Sequence, residues 1–217
     1  MSDEPGDASH NAGAAGGASL PPAYFDDVYA ANADPWAFAT SPYEAAKYTA
    51  TLVALPRSRY RSGLEIGCSI GVLTRRLAGR CDHLLAVDVA AAALARARAR
   101  TADLPNVTLA RVRVPDEDPG GAYDLVVLSE VGYYWAPPDL DRAADLIARR
   151  LEPGGHLVLV HWTPFVPDYP MTGDAVHDRL LAHSGFRRVA GRREEKYRLD
   201  VLERAPGRDA GAEPSPA

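Results

Sequence analysis

The 217-residue chain carries a formal net charge of −5, with 47% apolar and 24% charged residues. That length fits one domain around a single core. The acidic balance, with no basic stripe interleaved with aromatics, excludes a general phosphate-backbone binder, so no nucleic-acid partner is expected.

The two cysteines, Cys68 and Cys81, are too few for a disulfide framework or a zinc site. No metal is expected, and a reducing, cytoplasmic setting follows.

Residues 1–20 are rich in Ala, Gly, Asp and Ser and carry almost no large apolar side chain. Such a stretch cannot offset its ordering entropy and is expected to be a disordered tail, as is 206–217. The N-terminal stretch has no apolar signal-peptide core, and no apolar run approaches a membrane span. Residues 21–205 between the tails read as one domain.

The ordered chain opens with AYFDDVYAAN, a short helix candidate, followed by DPW, where Pro35 holds Asp34 out of the helical region. SPYEAAKYTATLVALP has helical apolar spacing, with Ser41 as cap, Pro42 at the first position and Pro56 as the stop. From Gly63 strands and helices alternate. GLEIG is a short strand, and SIGVLTRRLAG a helix closed by Gly79. HLLAVD is a strand, and the Ala/Arg run ending at Arg100 a helix with a solvated face. NVTLARVRV is a third strand, and AYDLVVLSE a strand buried on both faces. A helix then runs from Pro137 to a stop at Pro153 and Gly154. HLVLVHW is the fifth strand, Met171 to Ser184 a helix, and 186–204 a terminal strand pair. The fold class predicted is α/β: a Rossmann-like doubly wound sheet, mostly parallel, with a C-terminal antiparallel strand pair and an N-terminal helical cover. Ligands in such sheets sit at the carboxyl ends of the strands.

The first strand-to-helix turn is LEIGCSIG, Leu64 to Gly71. Gly67 permits a tight turn and close backbone approach, and Gly71 permits tight helix packing. The free N–H groups of the following helix suit a carboxylate or a phosphate. Asp88 ends the second strand, about 20 residues on, where a carboxylate can accept both hydroxyls of a ribose. A dinucleotide enzyme shares that layout but needs G-x-G-x-x-G. Ser69 and Val72 stand at its second and third positions, which disfavours the dinucleotide. Glu65 adds negative charge and suits an amino group or an organising role in the loop. Cys68 lies within the turn as a packing contact. Val89 and Ser129 sit at strand ends beside it, and a merely steric role for the glycines is the bland alternative.

Beyond that turn, three stretches, DPWAFATSPYEAAKYTATLVALP, LEIGCSIGVLTRRLA and YDLVVLSEVGYYW, with GGHLVLVHW and YPMTGDAVH, carry a resemblance. The chain resembles class I methyltransferases and, more narrowly, the NodS-like nodulation N-methyltransferases, from about Tyr24 to Glu203. The resemblance implies S-adenosyl-L-methionine as cofactor and an amine as acceptor, on an amino sugar of a chitin-like oligosaccharide. Ser69 departs from the family's E/D-x-G-x-G-x-G pattern. The usual acid after the third strand is not evident in RVRVPDEDP; Asp116, Glu117 or backbone near Arg113 are the options. An O-methyltransferase and a non-catalytic cofactor-binding protein share these signals.

With methyl transfer implied, Glu130 at the end of the fourth strand is the candidate to bind the amino group or take its proton; a capping or salt-bridging Glu is the alternative. His161, ending the fifth strand, is a second candidate proton acceptor or else a structural histidine. Tyr133, Tyr134 and Trp162 are candidate sugar-ring walls or core residues. The 21–56 segment has no place in the sheet and is expected to fold over the cofactor as a lid. Trp36 and Tyr43 are its candidate cofactor contacts, Trp36 by cation–π attraction to a sulfonium. Glu44 and Lys47 share one helix face, either within that lid or as an ordinary surface pair.

Overall fold

A computed structural model describes residues 17–205. Residues 1–16 and 206–217, most of the two expected tails, lie outside that range. Two N-terminal helices come first, α1 (Pro22–Ala31) and α2 (Pro42–Ala54). Then follow β1 (Tyr60–Ile66), α3 (Val72–Leu77), β2 (Cys81–Asp88), α4 (Ala91–Arg100), β3 (Val107–Arg111) and β4 (Tyr123–Ser129). The chain finishes with α5 (Pro137–Arg150), β5 (Leu151–Trp162), α6 (Gly173–Ala182), β6 (Phe186–Arg193) and β7 (Tyr197–Arg204).

The seven strands form one sheet in the order β3-β2-β1-β4-β5-β7-β6. The first five are parallel, and β7 runs antiparallel to both β5 and β6. This is the Rossmann-like arrangement expected. Period-two alternation feeds both faces of its centre. Leu64, Ile66, Val126, Leu128, Leu157 and Leu159 pack on one side beneath α5 and α6. Leu125, Val127, Val158 and Val160 pack on the other with Tyr48 of α2 and Leu73 of α3. The order reverses between β1 and β4, the switch point at which such sheets bind ligands.

Several boundaries move, each for a local reason. Ser69 does not start α3; Gly71 is its N-cap, and the turn continues through Ile70. The fifth strand starts at Leu151 rather than after Gly154, and its pairing to β4 shifts register between Tyr123 and Leu125, which accommodates Pro153 without a helix. β3 ends at Arg111, short of Val114. Ser19 and Leu20, placed by sequence in the tail, are held: Leu20 N–H donates to the Tyr134 carbonyl at 2.9 Å, and the Ser19 hydroxyl donates to Asp139. Ser41 caps α2 by accepting from Glu44 N–H. Among the described residues no helix is long and apolar enough to cross a membrane.

Candidate functional site

A concave cleft opens at the carboxyl ends of β1, β2, β3 and β4, with apolar walls and a few convergent polar groups, as small-molecule sites have. The turn 65–70 forms the floor, with Asp88 and Val89, 112–116 and Ser129 to Val131 as walls. Phe25, Tyr29, Trp36 and Phe38 of the N-terminal segment close another side.

The turn owes its shape to three left-handed residues. Gly67 has φ +78°, and a Cβ there would come 2.1 Å from Val131 Cγ2. Gly71 has φ +79°, and its Cβ would meet Ala97 at 3.0 Å. Gly71 therefore serves the packing of α3 on α4 rather than a ligand. Ser69, at the family's middle glycine, also has a positive φ, +51°, a strain of roughly 1–2 kcal/mol for an L side chain. Two bonds hold it there. Its N–H donates to Asp88 Oδ2 at 2.8 Å, and its hydroxyl shares a hydrogen bond with Tyr29 of α1.

Asp88 also accepts Ala90 N–H on Oδ1 at 2.9 Å. Each carboxylate oxygen thus has one backbone donor and a further lone pair for a ligand. Burial raises its pKa, opposed by the Ala90 and Ser69 N–H groups. Glu65 is 2% exposed and its Oε2 has no partner. Burial pushes its carboxyl up to about 8. Burial also raises the Cys68 thiol, which suits packing. Trp36 stacks on Phe38 at 5.5 Å and meets Tyr29 edge-on at 5.7 Å.

The Arg113 N–H is not free to read a base, and the residue's carbonyl keeps one lone pair. Its N–H donates to Glu117 Oε2 at 2.9 Å, and its carbonyl accepts Glu117 N–H at 2.8 Å. Glu117 is spent on that loop, while Asp116 lines the cleft and pairs with Arg113 and Arg142.

The other half of the site centres on Glu130, whose backbone also has a positive φ, +59°. Its Oε1 accepts from Lys47 Nζ at 2.6 Å. Its Oε2 accepts from the Tyr133 hydroxyl at 2.5 Å and from Trp162 N–H at 3.0 Å. Lys47 is 2% exposed and also donates to Glu44 Oε1 at 2.8 Å. One ammonium therefore sits between two carboxylates. Glu44 Oε2 and the Tyr43 hydroxyl are buried without partners. The pair is no surface ornament; it ties α2 to the end of β4.

Four candidates are placed away from the cleft. Tyr43 is held edge-on to Trp162 and Tyr197, at 6.0 and 6.3 Å, and Trp162 faces Lys196 at 5.8 Å; neither lines the cleft. Tyr133 is buried against Tyr169, ring on ring at 5.0 Å, and only its neighbour Tyr134 reaches the cleft wall. His161 is fully buried. Its Nε2 accepts Gly132 N–H and its Nδ1 meets His177 Nε2, both at 3.1 Å. Burial holds its pKa well below the ordinary imidazole value. With both nitrogens engaged inside the protein, it has no access to an acceptor's proton, which corrects the expectation of a base.

Lys47 and Tyr29 belong to the site's frame but were not singled out as contacts. The i, i+3 spacing of Glu44 and Lys47 was visible; the third partner, 83 residues from Lys47, was not.

Comparison with known proteins follows the same lines. A family profile described as nodulation protein S (NodS) matches residues 27–160. A nodulation protein S from Rhizobium tropici is 32% identical over 127 residues, 58% of this chain and 53% of that protein. One from Sinorhizobium fredii is 30% identical over 127 residues, 58% and 59% respectively. The chain thus spans about half the length of these curated relatives. The crystal structure of N-methyltransferase NodS from Bradyrhizobium japonicum WM9 in complex with S-adenosyl-L-homocysteine superposes with a TM-score of 0.76 at 26% identity. That alignment covers 84% of this chain and 98% of that one.

Proposed function

The chain belongs to the nodulation protein S family, and from that premise we propose that it is an S-adenosyl-L-methionine-dependent methyltransferase acting on an amine, its acceptor an amino sugar at the end of a chitin-like oligosaccharide. The observation that carries this reading is Asp88. Its two oxygens are steadied by Ser69 and Ala90 N–H groups on the wall of the cleft at the switch point. A carboxylate with one lone pair open per oxygen fits the paired hydroxyls of an adenosyl ribose. The S-adenosyl-L-homocysteine bound in the Bradyrhizobium N-methyltransferase supports the same cofactor.

Bound S-adenosyl-L-methionine supplies a methyl group activated on a sulfonium. The protein's residues position and desolvate. Asp88 would hold the ribose, Glu65, with its unpartnered oxygen, would receive the amino group of the methionine end, and Val89 and Asp116 would border the adenine, while Trp36 lines the cleft with an aromatic face. Glu130 has three of its roughly four lone-pair sites filled. The remaining one, on Oε1, accepts an N–H of the acceptor amine and orients it. Lys47, the Tyr133 hydroxyl and Trp162 N–H hold that carboxylate in place as an acceptor that orients the amine, whose proton leaves to water. A cytoplasmic location belongs to this reading, supported by two cysteines that are both free thiols.

Calorimetry with S-adenosyl-L-homocysteine tests the cofactor, and the expected result is saturable one-site binding; no binding would refute the enzyme reading. Incubation with S-adenosyl-L-methionine and glucosamine oligomers, free or N-acetylated at the terminal amine, tests the acceptor. Methyl transfer to the free amine alone is expected. Equal transfer to both would assign an oxygen acceptor instead.

A further inference from the structure

Behind the acceptor wall lies a buried chain of hydrogen bonds that the proposed chemistry does not use. Gly132 N–H donates to His161 Nε2, and His161 Nδ1 meets His177 Nε2, each at 3.1 Å. His177 Nδ1 meets Asp200 Oδ2 at 2.7 Å. His161, His177 and Asp200 are all fully buried. They come from three elements, β5, α6 and β7. Asp200 is held in turn by Arg188 Nε at 2.7 Å and Arg198 Nε at 2.8 Å.

The ends of the chain dictate its sense. Asp200, ionised between two guanidinium groups, only accepts, so His177 carries its proton on Nδ1. His177 Nε2 is then an acceptor, and His161 must donate to it from Nδ1. That leaves His161 Nε2 as the acceptor that Gly132 N–H requires. Every bond points the same way, from the Gly132 amide to the Asp200 carboxylate, and both imidazoles are neutral. A proton added to His161 at Nε2 would face another donor.

Gly132 opens the short turn Gly132–Tyr134. The residue on one side of it is Val131, which meets Gly67 of the cofactor turn; on the other is Tyr133, whose hydroxyl fixes Glu130 Oε2. A side chain cannot replace this glycine, since a Cβ would come 2.5 Å from Val176 Cγ1 and 3.1 Å from His161 Nε2. The amide of Gly132 is thus the point at which a directional relay grips the turn that carries the amine-facing carboxylate.

We propose that His161, His177 and Asp200 are positioning residues for methyl transfer: a one-way relay from β7 that fixes the Gly132 turn and so sets Tyr133 and Glu130 against the acceptor. This rests on the methyltransferase reading. Ring-nitrogen NMR of the full chain tests the relay without any turnover. His161 and His177 are expected as single Nδ1–H tautomers at neutral pH, and in His177→Phe the Gly132 N–H should still hold His161 as the Nδ1–H tautomer, with that proton now unpartnered and its signal shifted. His161 protonated on Nε2 would overturn the proposal.

The kinetic arm compares His161→Leu with His161→Gln, whose side-chain carbonyl can still accept Gly132 N–H. In the Leu variant kcat for an amine acceptor should fall on the order of 10–100-fold, as misplacement of reacting groups does. S-adenosyl-L-homocysteine affinity should stay within about threefold, and Gln should recover most of the loss. A Leu variant that folds and turns over normally, or one that loses cofactor affinity in step with kcat, would refute positioning. If the wild type methylates no amine, the methyltransferase reading fails while the tautomer result still decides the relay.

Discussion

The two halves of the cleft are built by different means. The cofactor half, at the ends of β1 and β2, is mostly backbone: left-handed turn residues and N–H groups from a short contiguous stretch, collected by Asp88. The acceptor half, at the ends of β4 and β5, is side chain on side chain. Lys47 from α2, Glu130 and Tyr133 after β4, and His161, His177 and Asp200 from three further elements meet in two buried networks. Local backbone geometry is cheap to specify and generic in what it holds. Long-range polar networks are costly if incomplete and fix one arrangement. In the proposed methyltransferase, cofactor chemistry common to many enzymes would sit on the first kind of construction, and acceptor choice on the second.

That contrast predicts where damage is greatest. Lys47→Met removes the cation that bridges Glu44 and Glu130 and should destabilise the fold by about 3–5 kcal/mol, the usual cost of stranding a buried charge. Adding Glu44→Gln should return part of it. Urea unfolding reads both, and an unaffected single variant would mean that the acceptor half is no more interdependent than a surface ion pair.

Asp88→Ala should weaken S-adenosyl-L-homocysteine binding by about 100-fold, from two lost hydrogen bonds to a charged group. Calorimetry measures it, and unchanged affinity would detach the cofactor half from its supposed anchor.

The effect that is smallest per step of the measurement separates the halves by pH. Glu65, in the cofactor half, has a folded pKa raised from 4.5 to about 8. Its contribution is full below 4.5 and is lost as pH rises towards 8. His161 and His177 have folded pKa values lowered from 6.5, mainly by burial. Their unfolded forms take up protons first, so stability is lost as pH falls below 6.5. Each group should contribute about 1 kcal/mol per pH unit within its window. Thermal unfolding of the ligand-free protein should show Glu65→Gln removing the loss of stability between pH 6.5 and 8, where the histidines do not contribute, and leaving the profile below pH 4.5 alone. An unchanged profile between pH 6.5 and 8 would remove Glu65 as its cause.

The same contrast explains what the sequence disclosed. Continuous apolar runs such as LVVLS and HLVLV, punctuated by glycines and prolines, announce the sheet, and LEIGCSIG with Asp88 announces the ligand end of it. Those signals are local, so they survive in a one-dimensional reading. His161 was visible as a histidine at a strand end. Whether it faces the cleft or His177 depends on how β5 sits against α6, and no spacing within HLVLVHW encodes that. Lys47 read as one half of an i, i+3 pair because its stronger partner arrives from 83 residues away. Tyr133 and Trp162 were legible as aromatics, yet the turn at Gly132 and the side of β5 on which Trp162 falls decide their surroundings. The start of β5 was misjudged because Pro153 and Gly154 read as a helix stop, whereas a bulge against Tyr123 takes them into the strand.

The left-handed backbone at Ser69 also bounds the substitutions the position can tolerate. With φ at +51°, the residues at ease there are Gly, Asn and Asp, while Val, Ile and Thr are barred by their branched Cβ. Glycine would relax the backbone and give up the hydroxyl that meets Tyr29; asparagine would keep a polar group in place. Divergence at this site is therefore confined to a handful of residues, and each choice trades freedom in the turn against its attachment to α1.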